Sequence, residues 1–400
     1  MTRRGPLDGI RVLDLTRHMA GPYGAAMLGD YGAEVIKAEP VYGDQARAVG
    51  RDYLDGESGL FLMWNRSKRS IALDYRSPEG REVLERLISS TDVFLHNFRP
   101  VSARNAGLDF EGVRKINPRV VYASVNGFGT EGPWADRPAT DPVIQAMSGI
   151  MSVTGERGGH PVLAGVPIAD FTGAMLQVIG VLMALRDRDV TGDAQEVQVS
   201  MLAGLMSTLT TRASSVLYGG YEPEAMGSSH SAVMPYQAFQ AKDGYVMAGT
   251  WGEAGWPRFC SAIDLPELEK DPRFATNQLR LQHREELESL LAERFRQRTR
   301  AEWDEAFARA DALFGHIYPV SEALHQEQAG SLVREVDHTK LGRIKTLAPP
   351  IAMSSAPDLD LMPPPVLGEH SVEVLKELGY PDAAVADLVA GAIVVDGSAG

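Results

Sequence analysis

Ile10-Arg11-Val12-Leu13-Asp14 and Ala33-Glu34-Val35-Ile36-Lys37-Ala38-Glu39 read as two buried strands, joined by a turn over 16–22 and a short helix over 23–32. The pattern repeats outward. A strand over 70–74, a helix over 77–89, a strand over 93–96 and another over 120–125 follow. Strands alternating with helices at this spacing predict a doubly wound, mostly parallel α/β sheet. Ligands gather beyond the carboxyl ends of such strands, so the turns after Asp14, Glu39, His96 and Val125 are the places to search. No G-x-G-x-x-G follows the first strand and no Walker A sequence occurs, so the usual dinucleotide fingerprint is missing. Gly127-Phe128-Gly129 by itself is more often a turn than a phosphate cradle.

Further along, Pro142 suits a first helical position after Thr140-Asp141, opening a helix that fades at Gly149. A helix runs from Asp170 to Arg188, a strand covers 196–199, and a long apolar helix covers 201–216. The Gly/Pro-rich stretch after Tyr218 reads as a linker. Beyond it, a β-hairpin over 236–239 and 245–248 and helices over 255–262, 284–297 and 301–310 suggest a smaller α+β domain. The expected division is a large domain over 1–200, a linker helix and loop over 201–225, a small domain over 226–325, and a segment over 326–400 returning to the large domain. That last segment carries Pro349-Pro350, Pro363-Pro364-Pro365 and a short helix over 371–378.

Composition narrows the function classes. With 400 residues and 44% hydrophobic content, the chain supports a full core. Thirty-nine basic against 53 acidic residues give a net charge of −14 with no basic run, which argues against generic nucleic-acid or anionic-membrane binding. The start, Met1-Thr2-Arg3-Arg4-Gly5-Pro6, lacks a signal-peptide pattern, no segment reads as a membrane span, and a cytoplasmic location is expected. Cys260 is the only cysteine and reads as a buried small hydrophobe. The nine histidines are scattered, His160 and His230 suit turns or pockets, and no metal site is expected.

Asp170 is the residue that bears most on chemistry. It lies in Pro167-Ile168-Ala169-Asp170-Phe171-Thr172-Gly173, between an apolar run and a helix with almost nothing polar from Ala174 to Leu185. An acid there is an N-cap, a general base or a nucleophile, and the residues alone favour the cap. Free amides and the helix dipole are expected to keep it anionic.

An ordered set of motifs resembles the class III coenzyme A transferases, the family of formyl-CoA:oxalate and carnitine CoA-transferases, whose fold alpha-methylacyl-CoA racemases share. The motifs are Pro6-Leu7-Asp8-Gly9-Ile10-Arg11-Val12-Leu13-Asp14-Leu15-Thr16 with Ala20-Gly21-Pro22, then Gly32 through Pro40 with Gly43-Asp44. Asn65 through Asp74 with Pro78-Glu79-Gly80 and Asn97-Phe98-Arg99-Pro100 come next, then Asp170-Phe171-Thr172-Gly173 and Pro365-Val366-Leu367-Gly368-Glu369-His370. The resemblance implies that Asp170 is the catalytic aspartate, relaying the acyl group and then CoA through an aspartyl anhydride and an aspartyl-CoA thioester. A covalent relay splits one difficult exchange into easier steps. Backbone amides at Ala20 or at the helix start after Asp170 are candidates for stabilising the oxyanions.

The same resemblance implies that Arg17, His18, Met19, Ala20, Leu73, Arg76, Asn97, Phe98 and Arg104 contact CoA. Asn105 stands where an arginine is usual, and Pro40 replaces an arginine of the formyl-CoA enzyme. Thr140 occupies the place of the histidine in a racemase His-Asp pair, and threonine does not serve as the second base of a two-base exchange. A transferase is therefore favoured over a racemase, or over a silent CoA-binding protein, and Asp141 is expected to be structural. Gly227-Ser228-Ser229-His230 corresponds to a mobile glycine lid without its polyglycine run, and with Thr140 is a candidate substrate pocket. Trp251, Glu253 and Trp256 are candidates for shaping the acyl pocket, though tryptophans in a small domain are more often core. The implied partners are acyl-CoA, used as substrate with no permanently bound cofactor, a carboxylic acid, and a second copy of the chain in an interlocked homodimer. Long crossings over 217–235 and 315–365 would suit that dimer.

Overall fold

The computed structural model describes residues 5–354 and 360–398. These form two units: the first takes residues up to Met151, then Leu163–Ser214, then Ser331 onward, and the second takes Ser152–Val162 and Ser215–Gly330. The segment 152–162 thus joins the second unit from inside the stretch assigned by sequence to the large domain.

The first unit is built on a seven-stranded sheet in the spatial order Val394–Val395, Arg69–Leu73, Glu34–Glu39, Arg11–Asp14, Val93–His96, Val121–Asn126, Gln195–Ser200. Six strands are parallel, and only Val394–Val395 runs antiparallel, against Arg69–Leu73. The order reverses between Arg11–Asp14 and Val93–His96, so the crevice of this doubly wound sheet opens beyond their carboxyl ends. One face packs Leu13, Ile36, Ile71, Phe94 and Tyr122 against the helix Pro78–Ser89 and the C-terminal helices Ser371–Glu377 and Asp382–Ala390. The other face packs Val12, Val35, Val93, Leu95 and Ala123 against the helices Ala20–Asp30 and Ile168–Thr191.

Small residues set how closely those last two helices approach each other and the sheet. A Cβ on Gly24 would come within 2.8 Å of Gln177 Oε1, and one on Gly180 within 2.5 Å of Val197 Cγ1. The helix Ile168–Thr191 has 24 residues and a mean hydropathy of 1.8 over its most apolar 18, enough in length and composition to cross a membrane, contrary to the reading from sequence. In this fold its inner side packs on the sheet, while Ile179, Leu182, Met183 and Val190 are exposed.

Other elements differ from expectation. The first helix begins at Ala20, inside the predicted turn. The predicted helix over 201–216 divides into Met201–Ser207 and Thr210–Leu217. A hairpin of Val333–His338 and Gly342–Leu347 and the edge strand Val394–Val395 had no counterpart in the reading. Charged residues alternate through the hairpin, and the edge strand has two residues, so neither carries a strong apolar signature.

The second unit holds a three-stranded antiparallel sheet, Leu313–His316, Gly244–Gly249 and Tyr236–Ala241, covered by the helices Gly255–Ala262, Arg284–Phe295 and Arg300–Arg309. Phe239, Phe259, Phe295, Trp303 and Phe307 form its aromatic core. Cys260 is fully buried there, as expected, and burial pushes its thiol up to about 12. Trp256 is also core, whereas Trp251 is 66% exposed.

Candidate active site

Asp170 is the third residue of its helix. It is therefore not the N-cap, a position held by Pro167, which has no capping side chain. The cap comes from another element. Asp141, the buried first residue of the helix Asp141–Ser148, accepts hydrogen bonds at Oδ1 from the amides of Ala169 (2.7 Å) and Asp170 (3.3 Å). Its Oδ2 accepts from Gln145 Nε2 at 2.6 Å, and Gln145 Oε1 accepts from the Ala164 amide at 2.9 Å. Asp141 is thus structural, as read from sequence, and holds the segment leading to Asp170.

This arrangement reverses the expected electrostatics. The helix-start amides are turned to Asp141, so they do not hold Asp170 anionic. Burial first, and then the Asp141 charge, push the Asp170 carboxyl up to about 7. A titration point near neutrality leaves a carboxylate available as base or nucleophile under ordinary conditions.

Asp170 opens on a cavity of about 730 Å³ lined entirely from the first unit. Arg17, His18, Met19, Ala20, Asn97 and Thr140, all singled out from the sequence, share its wall. A second cavity, of about 660 Å³, is lined by Arg17, Arg76 and Phe98 of the predicted set, together with Tyr75, Ser77, Arg81 and Ser102. Arg17 contributes to both, and its guanidinium donates to the Tyr75 hydroxyl at 2.5 Å. The turn carrying Arg17 crosses the switch point of the sheet, where Asn97 Oδ1 accepts from the Arg17 amide at 3.0 Å and Nδ2 donates to its carbonyl at 2.7 Å.

The remaining predicted residues are not part of either cavity wall. Leu73 is fully buried in the core, paired in register with Val394. Arg104 is exposed, 3.5 Å from Asp136, outside both cavity walls. Gly227, Ser228, Ser229 and His230 belong to the second unit. There the Ser228 Oγ accepts from the Ala238 amide, Ser229 Oγ donates to Gln237 Oε1, and the His230 ring stacks on Tyr236, so the segment is tied to the strand Tyr236–Ala241. Glu253 accepts from the Asn277 amide and Arg280 in the same unit.

Several wall residues are not among the candidates named from the sequence: Gln145, Arg99 and Arg137 of the first cavity, and Tyr75 and Arg81 of the second. Gln145 had a signal, standing four residues after Asp141 on one helix face. Arg99 and Arg137 had none, since loop arginines are ordinarily solvated. Neither makes a carboxylate ion pair among the described residues; Arg99 donates only to the Asp136 carbonyl at 3.4 Å.

The description "CoA-transferase family III" fits the chain from residue 7 to residue 371. The chain belongs to this family. It is 35% identical over 393 residues to the succinyl-CoA:glutarate CoA-transferase of Mus musculus, covering 97% of this chain and 90% of the relative. It is 33% identical over 383 residues to the acetyl-CoA:oxalate CoA-transferase of Acetobacter aceti, covering 95% and 97%. Among solved structures, a CAIB/BAIF family protein from Brucella suis matches with a TM-score of 0.83 and 35% identity, covering 94% of this chain and all of that one. The protein is accordingly an enzyme, a family III CoA-transferase that moves CoA between an acyl-CoA and a carboxylic acid.

Proposed function

We propose that Asp170 carries the transfer as a covalent nucleophile. Its carboxylate oxygen attacks the thioester carbonyl of the donor; the C–S bond breaks, leaving an aspartyl-acyl anhydride and CoA thiolate. The thiolate attacks Cγ of Asp170, expelling the donor acid as its carboxylate and forming an aspartyl-CoA thioester. The acceptor carboxylate then attacks that Cγ and displaces the thiolate. Thiolate attack on the acceptor's acyl carbon completes the acyl-CoA product and restores Asp170. No net proton is consumed. The single observation that supports this most is the desolvated Asp170 carboxyl, titrating near 7, on the wall of a 730 Å³ cavity. Arg17 links that cavity to a second one rich in cations, which suits an acyl group at Asp170 and the phosphates of CoA towards Arg76 and Arg81.

The acids exchanged are proposed to be dicarboxylic. Once one carboxylate has reacted at Asp170, a second remains to be neutralised, and Arg99 and Arg137 offer guanidiniums without carboxylate partners among the described residues. The relatives named for glutarate, succinate and oxalate use acids of this class. Arg137→Gln tests the point. KM for dicarboxylic acceptors should rise about ten-fold, the loss of one charge-assisted contact, while KM for a monocarboxylic acid of equal length stays unchanged. Equal effects on both would remove Arg137 from this role.

The active form is proposed to be a homodimer, interlocked as in the family. Support comes from the row Ile179, Leu182, Met183 and Val190 left exposed on the helix Ile168–Thr191.

A further inference from the structure

The turn after the first strand is held at three consecutive residues by three different neighbours. The Thr16 carbonyl accepts from Lys37 Nζ at 2.8 Å. Arg17 is bonded at both its amide and its carbonyl by Asn97. The His18 amide donates to Asp44 Oδ1 at 3.2 Å. His18 has φ +64°, a left-handed conformation that a non-glycine residue keeps only where its surroundings impose it.

Lys37 and Asp44 are joined to each other at 2.9 Å, and each side chain is 1% exposed. The pair is part of a larger buried set. Asp14 accepts from the Thr16 amide at 2.9 Å and from Lys68 Nζ at 2.8 Å, and Lys68 is fully buried. Glu39 accepts from the Asp44 amide at 3.0 Å and is itself held by Arg47 and Ser70.

Burying charges on this scale is a poor route to stability, because desolvation offsets most of the attraction and apolar replacements often stabilise. The network's contacts have a common destination instead. Lys37, Asp44 and Asp14 all end on the main chain of the 16–18 turn, and Arg17 and His18 of that turn line the cavity that holds Asp170. We propose that Lys37 and Asp44 are positioning residues that lock this turn, with His18 left-handed, in the shape that receives acyl-CoA. The inference rests on reading the cavity as the acyl-CoA site. Neither residue touches a reacting atom; each acts through the turn.

The test is the double variant Lys37→Met with Asp44→Asn. It removes both charges together while the asparagine keeps an oxygen for the His18 and Ala46 amides. Thermal unfolding, calorimetric binding of CoA and of succinyl-CoA, and steady-state kinetics are measured on the full chain. The expected result is an unfolding temperature equal to or above the parent's, with Kd and KM for the CoA ligand raised about ten-fold and kcat changed much less. An unfolding temperature that falls while Kd stays at the parent value would show a merely structural pair and overturn the proposal. So would a folded variant indistinguishable from the parent in both. If the double variant does not fold, Lys37→Met alone removes the contact to the Thr16 carbonyl; because it also leaves Asp44 unpaired, Kd for the CoA ligand decides there, a rise of about ten-fold being expected and a parent-like value overturning the proposal. A parent protein that binds neither CoA nor succinyl-CoA would instead overturn the acyl-CoA reading itself.

Discussion

Two carboxylates on neighbouring elements divide the labour of capping the helix and titrating near neutrality. Asp141 takes the free amides at the helix start, and Asp170, deprived of them and desolvated, titrates near 7 instead of at its ordinary 3.8. Nucleophilic attack requires the ionised form, so kcat/KM should rise with pH and level off above about 7. Asp141→Asn removes the neighbouring charge while retaining an oxygen for the amides, and a pH–rate profile should show the midpoint moved downward; an unmoved or raised midpoint would contradict this reading. Stability carries the opposite sign. A carboxyl whose folded titration point is raised stabilises the fold below the unfolded value near 3.8, and that contribution is lost as pH rises through about 7. Asp170→Asn should therefore unfold at a higher temperature than the parent at pH 8, and at nearly the same temperature at pH 4. The motif around Asp170 was legible, as was the structural character of Asp141. The reversal of charge was not, because it depends on a bond between residues 29 positions apart.

Among the elements, the parallel strands of the first 125 residues were legible because buried strands read as short, largely apolar runs, whereas the short helices Gly59–Trp64, Pro100–Asn105 and Phe110–Ile116 between them were not. Those strands also singled out the turns after Asp14, Glu39, His96 and Val125, and residues after Asp14, His96 and Val125 line the cavity that holds Asp170. The start of the Ala20–Asp30 helix was missed, since Ala20-Gly21-Pro22 looks like a turn when read alone. Glycine at 21 is required because a Cβ there would stand 2.3 Å from Thr16 Cβ. Close packing makes a firm prediction at Gly180, which faces Val197 of the edge strand Gln195–Ser200. Gly180→Val should cost about 1–3 kcal/mol by overpacking, read as a lowered denaturation midpoint, whereas Met183→Val on the exposed side of the same helix should cost much less. Equal losses would mean that the helix is not packed as described.

For the whole molecule, the Gly/Pro-rich stretch after Tyr218 marked the way into a smaller domain and the family resemblance implied a large domain built from both chain ends, but the transfer of 152–162 to the second unit had no such sign. That segment, rich in glycine and charge, has no apolar pattern that would assign it. Light scattering should give twice the mass of the 43.4 kDa chain, and Met183→Glu should weaken that association; a monomer with full activity would contradict the proposed homodimer. In the proposed relay, oxygen passes through the Asp170 side chain. A single turnover with an acceptor acid labelled with ¹⁸O in its carboxyl groups, followed by mass spectrometry of the Asp170 peptide, tests it directly. One labelled oxygen is expected in the Asp170 side chain. An unlabelled Asp170 with the label already in the released donor acid would contradict it.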